Sequence, residues 1–424
     1  MGLLLLNGFA LAAFAFGRLA VRLVRRAPAW AYAAAPPLAV IATGWALGWL
    51  MWALVRGGPG RAAVVAVRPD RRRHLVDLPG PHPPPPPLTP LPALSAPLPR
   101  LCPVTVSAET GRGGGRLLYG CMGLGGSWEP GPYGPRDVDA AEEAVHAALD
   151  IGITVFDHAD IYRHGKAEAV FGEVLARTPG LRDRVTLQTK CGIRLPGREG
   201  GPGMYDLRGP TIVRRVEESL ERLRTDVIDV LLLHRPDPLA DPDEIAGALM
   251  SLHGRGLVRA FGVSNTGAPQ IARLQARLDV PLVANQLEMS LHSRAWVESG
   301  VLLNTPEGAG HGFAPGTLEH CLDHGIRLQA WGALAQGRFT GRQRTPAERA
   351  TATLLEELAR KKGTTPESVL LWWLTRHPAG IAPVIGTARP DRIRACRDAA
   401  LKAPDLTHEE WYELWTTARG VPLP

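Results

Sequence analysis

The stretch ITVFDHADIYRHGKAE, Ile153–Glu168, joins an apolar run to a short segment crowded with ionisable side chains. Ile153, Val155 and Phe156 are predicted to be buried in a short strand. The residues that follow bring together two aspartates, two histidines and a tyrosine. Such a run either ends a strand in solvent or supplies side chains to a functional site, and the pattern of the remaining chain decides between these interpretations.

Further apolar runs of similar length alternate with segments of helical periodicity along the chain. Several helical segments end in glycine, which commonly terminates a helix before the next strand. Eight strands, each followed by a helix within roughly 300 residues, match a (β/α)8 TIM barrel of the α/β class. The predicted strands are residues 117–121, 154–156, 185–190, 227–234, 258–264, 282–286, 326–331 and 382–386.

A doubly wound open sheet is the alternative architecture for alternating strands and helices. That fold binds phosphate through a G-x-G-x-x-G turn after its first strand. The run GCMGLGGSW at residues 120–128 lacks this spacing. The sequence therefore favours the closed barrel.

The first hundred residues differ in composition from the rest. An uncharged run at Leu38–Val55 just reaches the length that a membrane-spanning helix needs. Residues 61–100 are rich in arginine and proline, which predicts an extended, disordered linker. We therefore divide the chain into an apolar segment at 1–60, with membrane contact through residues 1–55, a linker at 61–100 and a barrel at 101–424. The alternative is that residues 1–100 have no folded role and reflect a wrongly chosen start codon.

Charge and cysteine content exclude several classes of partner. Residues 1–100 hold eleven Arg, no Lys, no Glu and two Asp, a charge of +9, so the remaining chain carries −2 of the +7 total. A nearly neutral barrel lacks the clustered cations of a nucleic-acid-binding surface, so we expect no nucleic acid partner. Five widely spaced cysteines without a CxxC pair predict reduced thiols and no metal site. The sequence thus predicts a cytoplasmic protein, tethered to the membrane if segment 1–60 inserts, and indicates no oligomeric state.

Polar side chains stand at the ends of the predicted strands, where TIM barrels carry their catalytic groups. Asp157, Lys190 and His234 end the second, third and fourth strands, and Tyr162 follows Asp157 in the next loop. A nearby cation lowers the pKa of a tyrosine, which otherwise lies near 10. We expect Asp157 to hold Lys190 charged beside Tyr162, with His234 completing the pocket. Singly, each residue fits a structural role; together they suit carbonyl reduction, in which hydride reaches carbon and a proton reaches oxygen.

The chain carries the motifs DHADIY at Asp157–Tyr162, KCGI at Lys190–Ile193, LLLHRPDPL at Leu231–Leu239 and FGVSN at Phe261–Asn265. These four motifs, in this order and at barrel-compatible spacing, resemble the aldo-keto reductase superfamily over nearly all of residues 101–424. The resemblance is strongest to a bacterial oxidoreductase branch. It implies NAD(P)H-dependent reduction of an aldehyde or ketone to an alcohol, with a tetrad of Asp157, Tyr162, Lys190 and His234 in which Tyr162 is the general acid.

The resemblance also implies a cofactor, NADPH with NADH as the alternative, lying across the carboxyl end of the barrel. Gly386 stands where many family members carry a lysine, so NADH remains the alternative cofactor. An arginine fork suits phosphate oxygens. The implied contacts are Ser264, Asn265, Gln286 and Trp331 at the nicotinamide, Leu334, Gln336 and Arg338 at the pyrophosphate, and Thr387 and Arg392 at the 2′-phosphate.

Aromatic residues outside the motifs allow two interpretations. Trp128 and Tyr133 are predicted to wall an apolar pocket around a small carbonyl substrate, with packed lid aromatics as the structural alternative. Trp411 and Trp415, four residues apart in the last amphipathic segment, are expected to pack on the barrel.

Two other functions stay open at this stage. The apolar N-terminus favours a non-catalytic nicotinamide-binding subunit of a membrane channel. A Schiff-base enzyme that uses the amine of Lys190 is the third hypothesis.

Overall fold

A computed structural model describes residues 116–197, 201–310, 312–341 and 343–424 of the protein. The apolar run Leu38–Val55, the linker at 61–100 and Cys102 lie outside these residues, so their predictions stay predictions. Within the described ranges, no helix has the length and apolar character needed to cross a membrane.

Eight parallel strands close into a barrel, which confirms the predicted fold. The strands follow one another around the barrel in chain order, and the last pairs with the first through Leu118 and Val384. Each lies within two residues of its predicted position. They are β1 Leu118–Gly120, β2 Val155–Asp157, β3 Thr186–Cys191, β6 Ile228–Leu233, β7 Val258–Ser264, β8 Leu282–Glu288, β9 Arg327–Trp331 and β10 Ala382–Ile385.

A two-stranded antiparallel hairpin, which the sequence analysis did not predict, follows β3. It pairs β4, Ile193–Arg194, with β5, Met204–Tyr205. It lies outside the barrel sheet and belongs to the loop at the carboxyl end of β3.

The helices cover the barrel and bury its apolar strands. Several helices have proline in their first turn, including Pro135 and Pro242. Proline lacks an N–H group, but the N–H groups of the first turn have no acceptor within the helix, so no hydrogen bond is lost there. The helices are α1 Pro135–Asp150, α2 Lys166–Arg177, α3 Leu181–Arg184, α4 Gly209–Leu223, α5 Pro242–Gly254, α6 Ala268–Gln275, α7 Ala295–Val301, α8 Thr317–Asp323, α9 Pro346–Lys362, α10 Pro366–Thr375, α11 Pro390–Arg394, α12 Arg397–Leu401 and α13 His408–Arg419.

The last helix, α13, is held against the barrel by tryptophans. Trp411 stacks on Trp373 of α10 with ring centroids 4.9 Å apart, and each indole N–H donates to the other residue's carbonyl oxygen, at 2.8 and 3.1 Å. Trp415 is buried and donates to Glu298 Oε1 at 3.1 Å. Both residues therefore pack on the barrel, as the four-residue spacing predicts.

Candidate active site

Asp157, Lys190 and Tyr162 meet at the carboxyl end of the barrel. The Lys190 Nζ donates to both Asp157 carboxylate oxygens at 2.8 and 2.7 Å, to the His158 carbonyl oxygen at 2.9 Å and to the Tyr162 hydroxyl at 3.1 Å. Lys190 and Asp157 are only 1% and 2% exposed. The ammonium therefore has a hydrogen-bond acceptor for each of its hydrogens. One of these acceptors is the phenol of Tyr162, which also lines an open groove.

The backbone after β2 brings Tyr162 to Lys190. The His158 and Asp160 N–H groups continue the ladder along β3, donating to the carbonyl oxygens of Gln188 and Lys190 at 2.8 and 3.0 Å. The chain then turns through two successive residues in the left-handed region, Arg163 and His164 with φ of 53° and 60°. Such strain in residues other than glycine is concentrated at functional sites.

Burial and charge act in opposite directions on the proton donor. Burial raises the pKa of Tyr162, while the Lys190 charge beside it lowers that pKa; the net effect is a raised value, so the phenol keeps its proton at neutral pH. Burial lowers the pKa of Lys190, but the Asp157 carboxylate and Tyr162 outweigh it and the pKa is raised. A charged ammonium is a poor amine nucleophile, which disfavours the Schiff-base hypothesis.

Two histidines near the lysine, the buried His158 and the partly exposed His234, are neutral. Burial, followed by repulsion from Lys190 and Arg235, holds the pKa of His234 well below its usual range. Its ring lies edge-on to the Tyr162 ring with centroids 6.0 Å apart. Burial and then Lys190 lower the pKa of His158 to about 3. His234 faces the groove, whereas His158 packs against Phe171 at 4.7 Å, away from it.

A groove of about 750 Å³ opens at the carboxyl end of the barrel, and its lining includes Trp128 and Arg392. It is large enough for a dinucleotide-sized ligand. The predicted site residues that line it are Trp128, Asp157, Tyr162, His234, Ser264, Asn265, Gln286, Trp331, Leu334, Gln336, Arg338, Thr387 and Arg392. Lys190 lies beneath it, behind Tyr162.

Four polar residues form a hydrogen-bonded cluster in the middle of the groove. The Ser264 hydroxyl donates to the backbone carbonyl oxygen of Gln286 at 2.8 Å and accepts from the side-chain amide of Asn265 at 2.8 Å. The Asn265 Oδ1 accepts from the Trp331 indole N–H at 3.1 Å, which fixes the ring at the groove wall. Asn265 itself has φ of 55°. A planar carboxamide on an aromatic ring fits this cluster, because it offers amide donors, amide acceptors and a flat face.

The far end of the groove offers positive charge. Arg389 and Arg394 pair with Asp391 and Asp150 at 2.6 and 3.1 Å, but the Arg392 guanidinium has no carboxylate partner among the described residues and lines the groove. Such a cation fits a phosphate. Thr387 also lines the groove.

The loop after β9 faces this end of the groove. Ala335 and Gln336 have φ of 50° and 55°, a left-handed conformation that exposes backbone in a tight turn. Arg338 lines the groove but pairs with Glu348 at 3.0 Å, so its charge is partly neutralised.

The two candidate substrate-pocket aromatics are in different places. Trp128 is 41% exposed, lines the groove and has the Arg163 guanidinium 5.0 Å above its ring. Tyr133 does not reach the groove: its hydroxyl donates to Glu173 of α2 at 3.2 Å, and its ring packs on the core. The structure therefore brings Trp128 to the site and leaves Tyr133 outside it, since residues 131–134 lead directly into α1.

Sequence reasoning missed several polar residues of the site. Gln188 and Gln329 lie in the barrel interior beneath the groove, and Arg235, Glu288 and His292 line its walls. A signal was present for the glutamines, because each lies two residues before a predicted site residue on a strand and so faces the same way.

These features define a class: a TIM barrel whose groove fits a dinucleotide and ends at a tyrosine, lysine and aspartate suited to moving a proton. The model of the Aldo/keto reductase family matches residues 116–416. The chain belongs to this family, and it is an NAD(P)H-dependent oxidoreductase of the kind that acts on carbonyl groups.

Individual relatives agree with this assignment. The chain is 36% identical to the oxidoreductase YcsN of Bacillus subtilis over 304 residues, which cover 70% of this chain and 94% of the relative. It is 37% identical to a 6-dehydroglucose reductase of Agrobacterium fabrum over 309 residues, covering 72% and 94%. An aldo/keto reductase of Klebsiella pneumoniae solved with NADP and acetate superposes with a TM-score of 0.55 at 26% identity, covering 73% of this chain and 92% of that one.

Proposed function

We propose that the protein reduces an aldehyde or ketone to an alcohol and that Tyr162 delivers the proton to the carbonyl oxygen. The observation that carries this role is the 3.1 Å hydrogen bond from the Lys190 Nζ to the Tyr162 hydroxyl within a buried, fully coordinated ammonium site. A phenol beside an ammonium loses its proton more readily to a substrate oxygen on which negative charge develops.

The other tetrad residues act through this pair. Asp157 holds the Lys190 ammonium charged and in place through two hydrogen bonds of 2.7 and 2.8 Å. The neutral His234, which lines the groove beside Tyr162, would donate a hydrogen bond to the same carbonyl oxygen and so orient the substrate without adding charge. A bound nicotinamide would supply the hydride.

NADPH is the proposed cofactor, with NADH as the weaker alternative. The groove supports a nicotinamide carboxamide at Ser264, Asn265 and Gln286, with the ring on Trp331. At the other end, a 2′-phosphate is supported by Thr387 and by Arg392, which pairs with no carboxylate among the described residues. The pyrophosphate would lie along Leu334, Gln336 and Arg338.

A small hydroxylated carbonyl compound is the proposed substrate class. The groove lining combines an exposed indole, Trp128, with the polar side chains of Arg235 and Glu288. Aromatic faces with flanking hydrogen-bonding groups suit polyhydroxylated molecules. The similarity to a 6-dehydroglucose reductase supports the same choice.

The proposed location is the cytoplasm, with residues 1–60 as a membrane tether. Fractionation of cells that express the full chain, compared with a chain lacking residues 1–60, tests the tether. Recovery of both forms in the same fraction would contradict it.

Oxidation of NADPH in the presence of sugar-derived and simple aldehydes tests the activity. We expect Tyr162→Phe to lower kcat by about 100- to 10,000-fold, the usual contribution of a positioned acid, with little change in NADPH affinity. Equal turnover by this variant would remove the assigned role. Tight NADPH binding with no turnover on any carbonyl compound would instead favour the non-catalytic channel-subunit hypothesis.

A further inference from the structure

Three buried glutamines form an amide chain through the barrel interior, a layer that TIM barrels usually fill with branched apolar side chains. Gln188 on β3 and Gln329 on β9 reach across the barrel and exchange two hydrogen bonds, each of 2.8 Å. Gln188 also donates to Asp157 Oδ1 at 2.6 Å, and Gln329 also accepts from the Gln286 Nε2 at 2.9 Å. The amide chain thus links Asp157 to Gln286.

Strand register places these residues in one layer. Gln188 lies opposite Asp157 in the pairing of β2 with β3, and Gln286 lies opposite Gln329 in the pairing of β8 with β9. All four are at most 4% exposed. Burying an amide costs free energy unless its groups are bonded, so a layer of three glutamines persists because its members satisfy one another.

The carboxylate fixes the direction of every amide in the chain. An ionised Asp157 only accepts hydrogen bonds, so Gln188 must present its NH2 group. The Gln188 oxygen must then accept from the Gln329 NH2, and the Gln329 oxygen must accept from the Gln286 NH2. As a result the Gln286 NH2 points inward, and its Oε1, which has no hydrogen-bond partner among the described residues, is left for the groove.

We propose that Gln188 and Gln329 are positioning residues, which transmit the orientation set by the Asp157 carboxylate to the Gln286 side chain. As a result, Gln286 presents its side-chain oxygen Oε1, rather than its NH2 group, to a ligand amide donor in the groove. This rests on the proposed function, because the donor is the carboxamide of the nicotinamide. The same contacts restrain Asp157, because its Oδ1 accepts from both Gln188, at 2.6 Å, and Lys190, at 2.8 Å. The cofactor-binding end and the proton-donating end of the site are therefore aligned by one chain of amides.

Cofactor affinity in a double-mutant cycle tests the proposal. We expect Gln329→Met to weaken NADPH binding, measured by fluorescence titration, by about tenfold, the equivalent of one hydrogen bond. Gln286→Met removes the acceptor itself and should cost at least as much. The double variant should bind no more weakly than Gln286→Met alone, because Gln329 acts only through Gln286.

A matched control separates this effect from a general loss of packing. Gln275 on α6 also uses both amide groups, donating to the Val280 carbonyl oxygen at 3.0 Å and accepting from the Leu282 N–H at 2.7 Å, away from the groove. Gln275→Met should therefore leave NADPH affinity unchanged. Multiplicative effects of the Gln286 and Gln329 substitutions, or equal affinities of Gln329→Met and Gln275→Met, would overturn the proposal.

Folding defects are covered by a variant that removes both partners. The double variant Gln188→Met/Gln329→Met removes both amides of the mutual hydrogen-bonded pair, so neither is left without the other. Its melting temperature is therefore expected to be at least as high as that of Gln329→Met. It should show the same loss of NADPH affinity, and retention of wild-type affinity would contradict the proposal. Failure of the wild-type chain to bind NADPH or NADH would sink the proposed function itself, which distinguishes the two failures.

Discussion

The two ends of the groove are built in different ways. At the proton-donating end, Lys190 and Asp157 are buried and every Lys190 hydrogen has an acceptor within the protein. At the phosphate-binding end, Arg392 lines the groove without a carboxylate partner among the described residues. The difference indicates that the chemistry is pre-organised by the fold, whereas the end that recognises the cofactor keeps an uncompensated charge for its ligand.

The largest effect is expected at the buried end. Lys190→Met leaves the Asp157 carboxylate buried without its charge partner, which should lower the free energy of unfolding by about 3–5 kcal/mol and reduce kcat by about 1,000-fold. Denaturant unfolding and steady-state kinetics measure the two effects. Asp157→Asn/Lys190→Met should recover stability but not activity.

A surface ion pair serves as the control for this prediction. Lys402 pairs with Asp398 at 3.0 Å and is 60% exposed. Lys402→Met should cost no more than about 1 kcal/mol, since exposed pairs contribute little. A similar loss of unfolding free energy in Lys190→Met and Lys402→Met would mean that the buried pair is not pre-organised in the way described.

The next largest effect is expected at the phosphate-binding end. Arg392→Ala should weaken NADPH binding by about 10- to 100-fold, the equivalent of a charged hydrogen bond. NADH binding should change little, because it lacks the 2′-phosphate. Arg389→Ala removes an arginine already paired with Asp391 at 2.6 Å and should leave both affinities nearly unchanged. Equal losses for NADPH and NADH would contradict the assignment of Arg392.

Acid stability tests burial at the proton-donating end. Because the pKa of folded His158 is lowered to about 3, the unfolded chain binds this proton first as pH falls below about 6.5. The stability that neutral His158 contributes is complete above that pH and is lost as pH falls towards 3, at up to about 1.4 kcal/mol per pH unit. His158→Phe should remove this contribution to the pH dependence of the unfolding free energy between pH 6.5 and 4.5, measured by denaturant unfolding.

An exposed histidine provides the comparison for His158. His146 is exposed on α1, and His146→Gln, which alters no buried side chain, is the matched control substitution. An unchanged slope in His158→Phe would mean that this ring does not carry the expected penalty.

The smallest effect is expected from adding charge at the open end. A Cβ at Gly386 would meet no atom within 4 Å, so Gly386→Lys can be accommodated beside Thr387. An exposed cation contributes about 0.2–1 kcal/mol, so NADPH should bind a few times more tightly relative to NADH. Gly386→Met, of similar length without the charge, is the control. Equal preferences in the two variants would show that charge at this position does not select the cofactor.

The barrel and the polar side chains at its strand ends could be predicted because each depends on local pattern, whereas loop residues such as Arg338 and Arg392 were implied only by the family resemblance. The predicted strand at 185–190 is observed as Thr186–Cys191, and the run ending at Asp157 is a strand as expected. Tyr133 was placed wrongly in the pocket because an aromatic residue in a loop carries no information about which way it points. The hairpin of β4 and β5 was missed because two-residue strands leave no periodic signal.

The sequence by itself determined the alternation of eight strands and helices and the chemical groups at the strand ends, since periodicity and strand direction are properties of neighbouring residues. Only the tertiary structure decided which of those groups touch. Closing the barrel brought Gln188 within 2.8 Å of Gln329, 141 residues away. Contacts between side chains so distant along the chain depend on closure and register, which no local pattern contains.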